Sequence, residues 1–245
     1  MASLTGKVAV VTGGSRGIGR AVAERLGKDE ASIVVNYVRN ADKAGEVVSA
    51  IQSGGGSALA VQADVFKLAD IHRLFEETVG HFGHLDILVH SAGVFLSKEV
   101  SEVTEEDFDA TFALQAKGTF FVLQEAARRI RDDGRIINIS SSATALIFPG
   151  AALYVGSKAA GEQFTKTLAK ELGGRGITVN SVSPGYTDTD MLPKDPGLRE
   201  MVAKQSAFGR LGQPVDVADV VAFLASDQGR WLTGQNVQAG GGLVM

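Results

Sequence analysis

Tyr154 and Lys158 stand four residues apart in the segment A-L-Y-V-G-S-K-A-A, whose helical periodicity runs on to Leu172. Positions i and i+4 of a helix share a face, so the two side chains meet. A lysine ammonium beside a phenol favours the phenolate and lowers the tyrosine pKa. A phenol tuned in this way exchanges a proton with a carbonyl or alcohol oxygen near neutral pH. Ser141, after the apolar run R-I-I-N-I-S, can donate a hydrogen bond to the same oxygen. An isolated Tyr-x-x-x-Lys more often marks a solvated helix face, so its weight comes from the rest of the chain.

Near the start, the apolar run K-V-A-V-V-T leads into T-G-G-S-R-G-I-G and then the helical stretch R-A-V-A-E-R-L. Gly13, Gly17 and Gly19, with Ser15, Arg16 and Ile18 between them, form a strand-to-helix turn. Glycines there let backbone N–H groups approach a pyrophosphate, which the helix N-terminus stabilises. A site for NAD places an acid at the end of the second strand to hold the ribose hydroxyls. Here that strand ends V-V-N-Y-V-R-N, with Tyr37 where the acid would stand, Arg39 just beyond, and Arg16 inside the turn. Two cations and no acid suit a 2′-phosphate, so NADP(H) is the expected cofactor. The alternative is that both arginines are simply solvated.

T-G-G-S-R-G-I-G, Ser141, Tyr154-x-x-x-Lys158 and S-P-G-Y-T-D-T, in this order and spacing, closely resemble the short-chain dehydrogenase/reductase family over essentially the whole chain. The resemblance implies that Asp64 contacts the adenine, with Val65 packed nearby. It implies that Ser91, Ala92 and Gly93, in V-H-S-A-G, approach the cofactor ribose. His90 and Ser91 replace two asparagines that usually tie central strands together, and His90 is read as structural. Pro184 and Gly185 would turn beside the nicotinamide, with Thr187 and Thr189 holding its carboxamide. Lys158 would also reach the nicotinamide ribose, and Tyr154 would supply the proton as hydride reaches carbon. The family's fourth catalytic residue, an asparagine that holds a proton-relaying water, is Gln115 here, one methylene longer.

Apolar β-branched runs alternating with amphipathic stretches signal a doubly wound, Rossmann-like α/β domain: a parallel sheet of seven strands with helices on both faces. Strands are expected near 7–12, 32–38, 57–63, 85–91, 134–140, 176–183 and 234–238. Helices are expected near 17–28, 40–53, 67–82, 104–131, 150–172 and 214–226, with Thr104 and Pro214 as start signals. Residues 1–245 read as one domain, in which the Pro- and Gly-bearing stretch 187–213 forms a lid over the substrate. The substrate wall is placed on loops after strand ends: Val94–Leu96, Ala143–Phe148, Tyr186, Met191, Leu192 and Phe208. Several of these could instead pack the core or the lid. The wall is mostly apolar, which points to a neutral ketone or aldehyde.

The remaining bounds are compositional. Hydrophobic residues make up 44% and charged residues 21%, an ordinary globular balance. A formal charge of −4 gives no footprint for nucleic acid or an anionic membrane. With no cysteine there is no disulfide, thiolate metal site or thiol nucleophile, and no metal is expected. No leader and no membrane-spanning apolar run is seen, so a cytoplasmic enzyme is expected. The resemblance also implies a homotetramer through helices 104–131 and 150–172 and the C-terminal A-G-G-G-L-V-M. One rival is a 3-oxoacyl-carrier-protein reductase, for which Arg128, Arg129, Arg131 and Arg175 are the candidate cations around the mouth. The other is a weakly active dinucleotide-binding sensor or scaffold, raised by Gln115 and His90.

Overall fold

Segments such as V-A-V-V-T are apolar at every position, as a strand covered on both faces requires. In the computed structural model, which describes residues 3–244, these segments form one parallel sheet. Met1, Ala2 and Met245 lie outside the described residues. The strands are β1 Val8–Thr12, β2 Ser32–Tyr37, β3 Ala58–Gln62, β4 Ile87–His90, β5 Arg135–Ile139, β6 Thr178–Pro184 and β7 Asn236–Ala239. Their order across the sheet is β3-β2-β1-β4-β5-β6-β7. Strand order reverses between β1 and β4, and ligands of open α/β sheets bind in the crevice beyond that reversal.

The helices are α1 Gly17–Lys28, α2 Ala41–Ser53, α3 Leu68–Phe82, α4 Glu105–Phe112, α5 Thr119–Arg129, α6 Ala152–Leu172, α7 Pro196–Ala203 and α8 Pro214–Ala225. Alternate residues of β1 feed two cores. Ala9 and Val11 pack with Val22 and Leu26 of α1 and Val217 and Val221 of α8. Val10 faces Leu74 and Phe75 of α3, Val122 and Ala126 of α5, and Leu172 of α6. Each fully buried Val, Leu or Phe side chain contributes about 1.5–3 kcal/mol, so the sheet is held from both sides. The start signals act as expected: Thr104 and Asp107 form a capping box, and Pro214 opens α8.

The expected helix 104–131 is not continuous. Between α4 and α5 lies one stretch of π-helix, Ala113–Gly118. Gly118 explains why the chain can pass there: a Cβ at this position would lie 2.7 Å from the Val65 carbonyl oxygen. The stretch 187–213 carries α7, pinned by an Arg199–Asp188 ion pair and by the Ala207 N–H on the Gly241 carbonyl.

Candidate active site

The C-terminal ends of β1, β4, β5 and β6 deliver the site. Beyond β1, Gly13 and Gly17 adopt positive φ of 64° and 54°, a conformation L side chains rarely take. A Cβ on Gly13 would sit 3.1 Å from the Ala92 backbone, so the turn lies directly against the chain leaving β4. A Cβ on Gly17 would sit 3.3 Å from Thr189 Cγ2, bringing the turn against the segment after β6. Arg16 and Arg39 are exposed. Nearby Arg20 and Lys43 pair with Glu24, Glu46 and Asp190, whereas Arg16 and Arg39 make no ion pair among the described residues. Tyr37 closes β2, and Asp64 caps its own turn by accepting from the Phe66 N–H. Val65 is buried.

Tyr154 and Lys158 fall in the first two turns of α6, and Ser141 follows β5. Tyr154 is 7% exposed, and its ring meets Phe95 edge-to-face at 5.0 Å between centroids. Phe95 in turn contacts Phe148. Burial pushes the Tyr154 phenol above its ordinary pKa, and a hydrogen bond with Ser141 pulls it back. The expectation is a lowered pKa from the neighbouring lysine; burial outweighs any such effect here. The Lys158 ammonium donates to the Ile139 carbonyl at 2.9 Å, and burial lowers its own pKa to about 8.

Gln115 lies inside the π-helical stretch, a geometry frequent at functional sites. It is 2% exposed, and its Nε2 donates to Ser157 Oγ at 3.1 Å. Ser157 Oγ in turn donates to the Tyr154 carbonyl. Gln115 Oε1 is buried without a hydrogen-bond partner among the described residues. That oxygen and Lys158 Nζ each lie 3.2 Å from the point a Gly93 Cβ would occupy. Gly93 therefore keeps open the space shared by the amide and the ammonium.

His90 is buried and linked on both ring nitrogens. Thr12 Oγ1 accepts the Ser91 and Ala92 N–H groups, which leaves its single proton for His90 Nδ1 at 2.8 Å. His90 Nε2–H then donates to Thr119 Oγ1 at 3.1 Å, and Thr119 donates to the Gln115 carbonyl at 2.7 Å. This chain needs a neutral imidazole. Burial, reinforced by the Lys158 charge, lowers the His90 pKa to about 3. The structural reading of His90 holds, and the residue ties the turn beyond β1 and β4 to the π-helical stretch.

Pro184 closes β6 beside Ala239 of β7, and Gly185 approaches so near that a Cβ would lie 2.9 Å from Gly240 Cα. Thr187 donates to the Gly185 carbonyl, and Thr189 Oγ1 accepts from the Met191 N–H. The expected substrate wall divides. Phe95 meets Tyr154 and is backed by Phe148, whereas Tyr186 and Phe208 line a cavity of about 190 Å³ between residues 185–187, 202–220 and 239–243.

A family model described as enoyl-(acyl carrier protein) reductase matches residues 13–244. Proteins named short chain dehydrogenase/reductase match over nearly the full length of this chain. The chain belongs to the short-chain dehydrogenase/reductase family. A dehydrogenase/reductase from Sinorhizobium meliloti 1021 superposes with a TM-score of 0.96 at 45% identity, covering 99% of this chain and 97% of that one. The angucycline C-6 ketoreductase LanV, solved with bound NADP, gives 0.94 at 45%, covering 98% and 96%. The hydroxynaphthalene reductase-like protein Arp2 of Metarhizium brunneum is 44% identical over 99% of this chain and 96% of its own length.

One residue of this dehydrogenase/reductase escaped the sequence reading, and one group was read there for the wrong role. Asn36, buried in the apolar run V-V-N-Y, accepts from the Gly13 N–H and donates to the Ala63 carbonyl, tying the glycine turn to the end of β3. A lone amide in an otherwise apolar strand was the available signal. The four arginines considered for carrier docking are misplaced for that role. Arg128 and Arg129 close α5 against buried Glu125, Arg131 pairs with Asp86, and Arg175 with Asp132. All four lie at the N-terminal edge of the sheet, opposite the site, because α5 runs antiparallel to the strands. Among the described residues no helix is long and apolar enough to cross a membrane.

Proposed function

We propose that this enzyme reduces a neutral, largely apolar ring ketone, or a related aldehyde, to its alcohol with NADPH, and runs in reverse on the alcohol. The observation that carries this reading is the convergence of Ser141, Tyr154 and Lys158 beside the glycine turn, with Phe95, backed by Phe148, as the apolar wall against Tyr154. Two relatives, named for hydroxynaphthalene and angucycline, support a ring substrate.

The cradle fits a dinucleotide phosphate. Gly13, Ser15, Gly17, Ile18 and Gly19 present backbone N–H groups at the start of α1 for the pyrophosphate. Arg16 and Arg39, with Tyr37, would take the 2′-phosphate, and Asp64 and Val65 the adenine. Ser91, Ala92 and Gly93, with Tyr154 and Lys158, would face the nicotinamide ribose. Pro184, Gly185, Thr187 and Thr189 would orient the ring. When bound, the nicotinamide supplies hydride chemistry. Ser141 and Tyr154 hold the carbonyl oxygen, and Tyr154 gives up its phenolic proton as that oxygen becomes an alcohol. Lys158, one helical turn beyond the tyrosine, then returns a proton toward it. The Gln115 amide, open on its oxygen side toward Lys158, supports proton return to the lysine.

Carrier docking is the weaker reading, because its candidate cations are paired and lie on the far edge. Stretch 187–213 serves as the lid. The exposed Phe108 and Phe120, with Phe112 stacked on Phe108, support a homotetramer through α4–α6. Light scattering on the purified protein tests the assembly. The function is tested by following NADPH absorbance with a bicyclic aryl ketone, a small alkyl ketone, and an acyl thioester free and carrier-bound. The aryl ketone should be preferred. A large gain on adding the carrier, weakened by salt, would sink this reading.

A further inference from the structure

Helix α6 carries a third ionisable side chain on the face that presents Tyr154 and Lys158. Glu162 lies one turn beyond the lysine, at the same four-residue step. Its Oε1 accepts hydrogen bonds from Ser140 Oγ at 2.5 Å and Thr144 Oγ1 at 2.7 Å. These hydroxyls flank Ser141, and Thr144 Oγ1 also lies 2.8 Å from the Ser141 carbonyl. A single carboxylate thus joins the helix bearing Tyr154 to both sides of the loop bearing Ser141.

We infer that Glu162 is a positioning residue: it clamps the Ser141 loop to the Tyr154 face of α6 and supplies the negative charge that keeps Lys158 an ammonium. The second role rests on the proton-donor reading of Tyr154. The groups around Lys158 leave it few other sources of charge. Tyr154 and Glu162 share its helix, His90 of β4 is neutral, and Gln115 and the Ile139 carbonyl are uncharged. Burial lowers the lysine pKa to about 8, and among the described residues Glu162 is the one anion that opposes this. The clamp matters because the Ser141 hydroxyl is useful only where it meets the oxygen that Tyr154 protonates. Displacing one donor by about an ångström is enough to cost a large factor in rate.

Two variants separate the roles. Glu162→Gln keeps an acceptor for both hydroxyls and removes the charge, whereas Glu162→Ala removes both. Ketone reduction with NADPH is measured against pH, and amide exchange is followed across residues 140–146. Glu162→Gln should keep parental exchange and near-parental kcat on the acid side of the limb, at about pH 6. Its alkaline limb should move down by about one pH unit, since losing a nearby opposite charge lowers a lysine pKa. Glu162→Ala should lose exchange protection across 140–146 and at least about tenfold in kcat, with KM for NADPH unchanged. Ser140→Ala combined with Thr144→Val removes the same contacts from the loop side and should reproduce that exchange pattern even if the helix variant folds poorly. A Glu162→Gln profile superimposed on the parent overturns the charge role. Parental exchange and turnover in Glu162→Ala overturn the clamp. Tyr154→Phe, run alongside, keeps the readings apart: if it stayed active the donor assignment would fail, and the exchange comparison would still score the clamp.

Discussion

The two edges of the sheet treat polar groups in opposite ways. At the N-terminal edge, buried Asp86 accepts the Val8 N–H at 2.8 Å and the Arg131 guanidinium, with Lys7 and His84 alongside. Arg175 there spends its donors on Asp132 and the Ala127 and Ile130 carbonyls. At the C-terminal edge, Lys158 is poised to lose its proton near pH 8, and among the described residues buried Gln115 Oε1 has no hydrogen-bond partner and Arg16 and Arg39 no anion. A saturated charge holds structure, because nothing is left to bind. An unsaturated one costs stability and is available to a ligand. The contrast is not absolute, since Arg135 Nε at the quiet edge is also unpaired. Its other nitrogens, however, donate to the Asp133 and Gly134 carbonyls and to Asp227.

If the edges divide labour in this way, damage to each should register in a different measurement. Tyr154→Phe should lower kcat by about 10³-fold or more while NADPH affinity, read by fluorescence titration, stays near parental. Ser141→Ala should cost about 10²–10³-fold by removing one donor to the reacting oxygen. Neither should move the denaturant midpoint much. Asp86→Ala should do the reverse. It orphans the Val8 N–H and frees Arg131, costing about 3 kcal/mol in urea unfolding with kcat preserved in the folded fraction. Loss of turnover without loss of stability in Asp86→Ala would erase the division.

Smaller changes sharpen the comparison. Replacing Arg16 and Arg39 together by glutamine should raise KM for NADPH by about 10–100-fold and leave KM for NADH nearly unchanged, as expected when two charged hydrogen bonds to one phosphate are lost. Equal NADPH and NADH efficiency in the parent would remove the basis for that assignment. Gln115→Asn should change kcat by less than about tenfold across pH, under about 1.4 kcal/mol, since an amide remains in place. A larger gain would mean that the extra methylene hampers the natural enzyme.

What could be read in advance follows from how local each signal is. The strands are apolar runs bounded by turns, and the glycine turn and Tyr154-x-x-x-Lys158 are contiguous, so adjacent residues carry them. The hydrogen-bond chain from Thr12 through His90 and Thr119 to Gln115 joins β1, β4 and the junction of the π-helical stretch with α5, three places far apart in sequence. Its members look like isolated polar residues until the fold assembles them. The same holds for Glu162, which reads as one charge on an amphipathic helix until Ser140 and Thr144 arrive from β5. The arginines were misjudged for a related reason. Clustering in sequence says that they are near one another, but only the antiparallel run of α5 says which edge of the sheet they occupy.

The π-helical stretch has a consequence for chain length. A π-turn takes up one residue more than an α-helix allows over the same rise. Removing one residue between Ala113 and Gly118 would let the helix regularise, and Thr119, Val122 and Ala126 would keep the faces they now present to His90 and the sheet. The change would fall on residues inside the stretch, where Gln115 would shift relative to Ser157. The extra residue thus sets the place of one amide and leaves the helix beyond it in register.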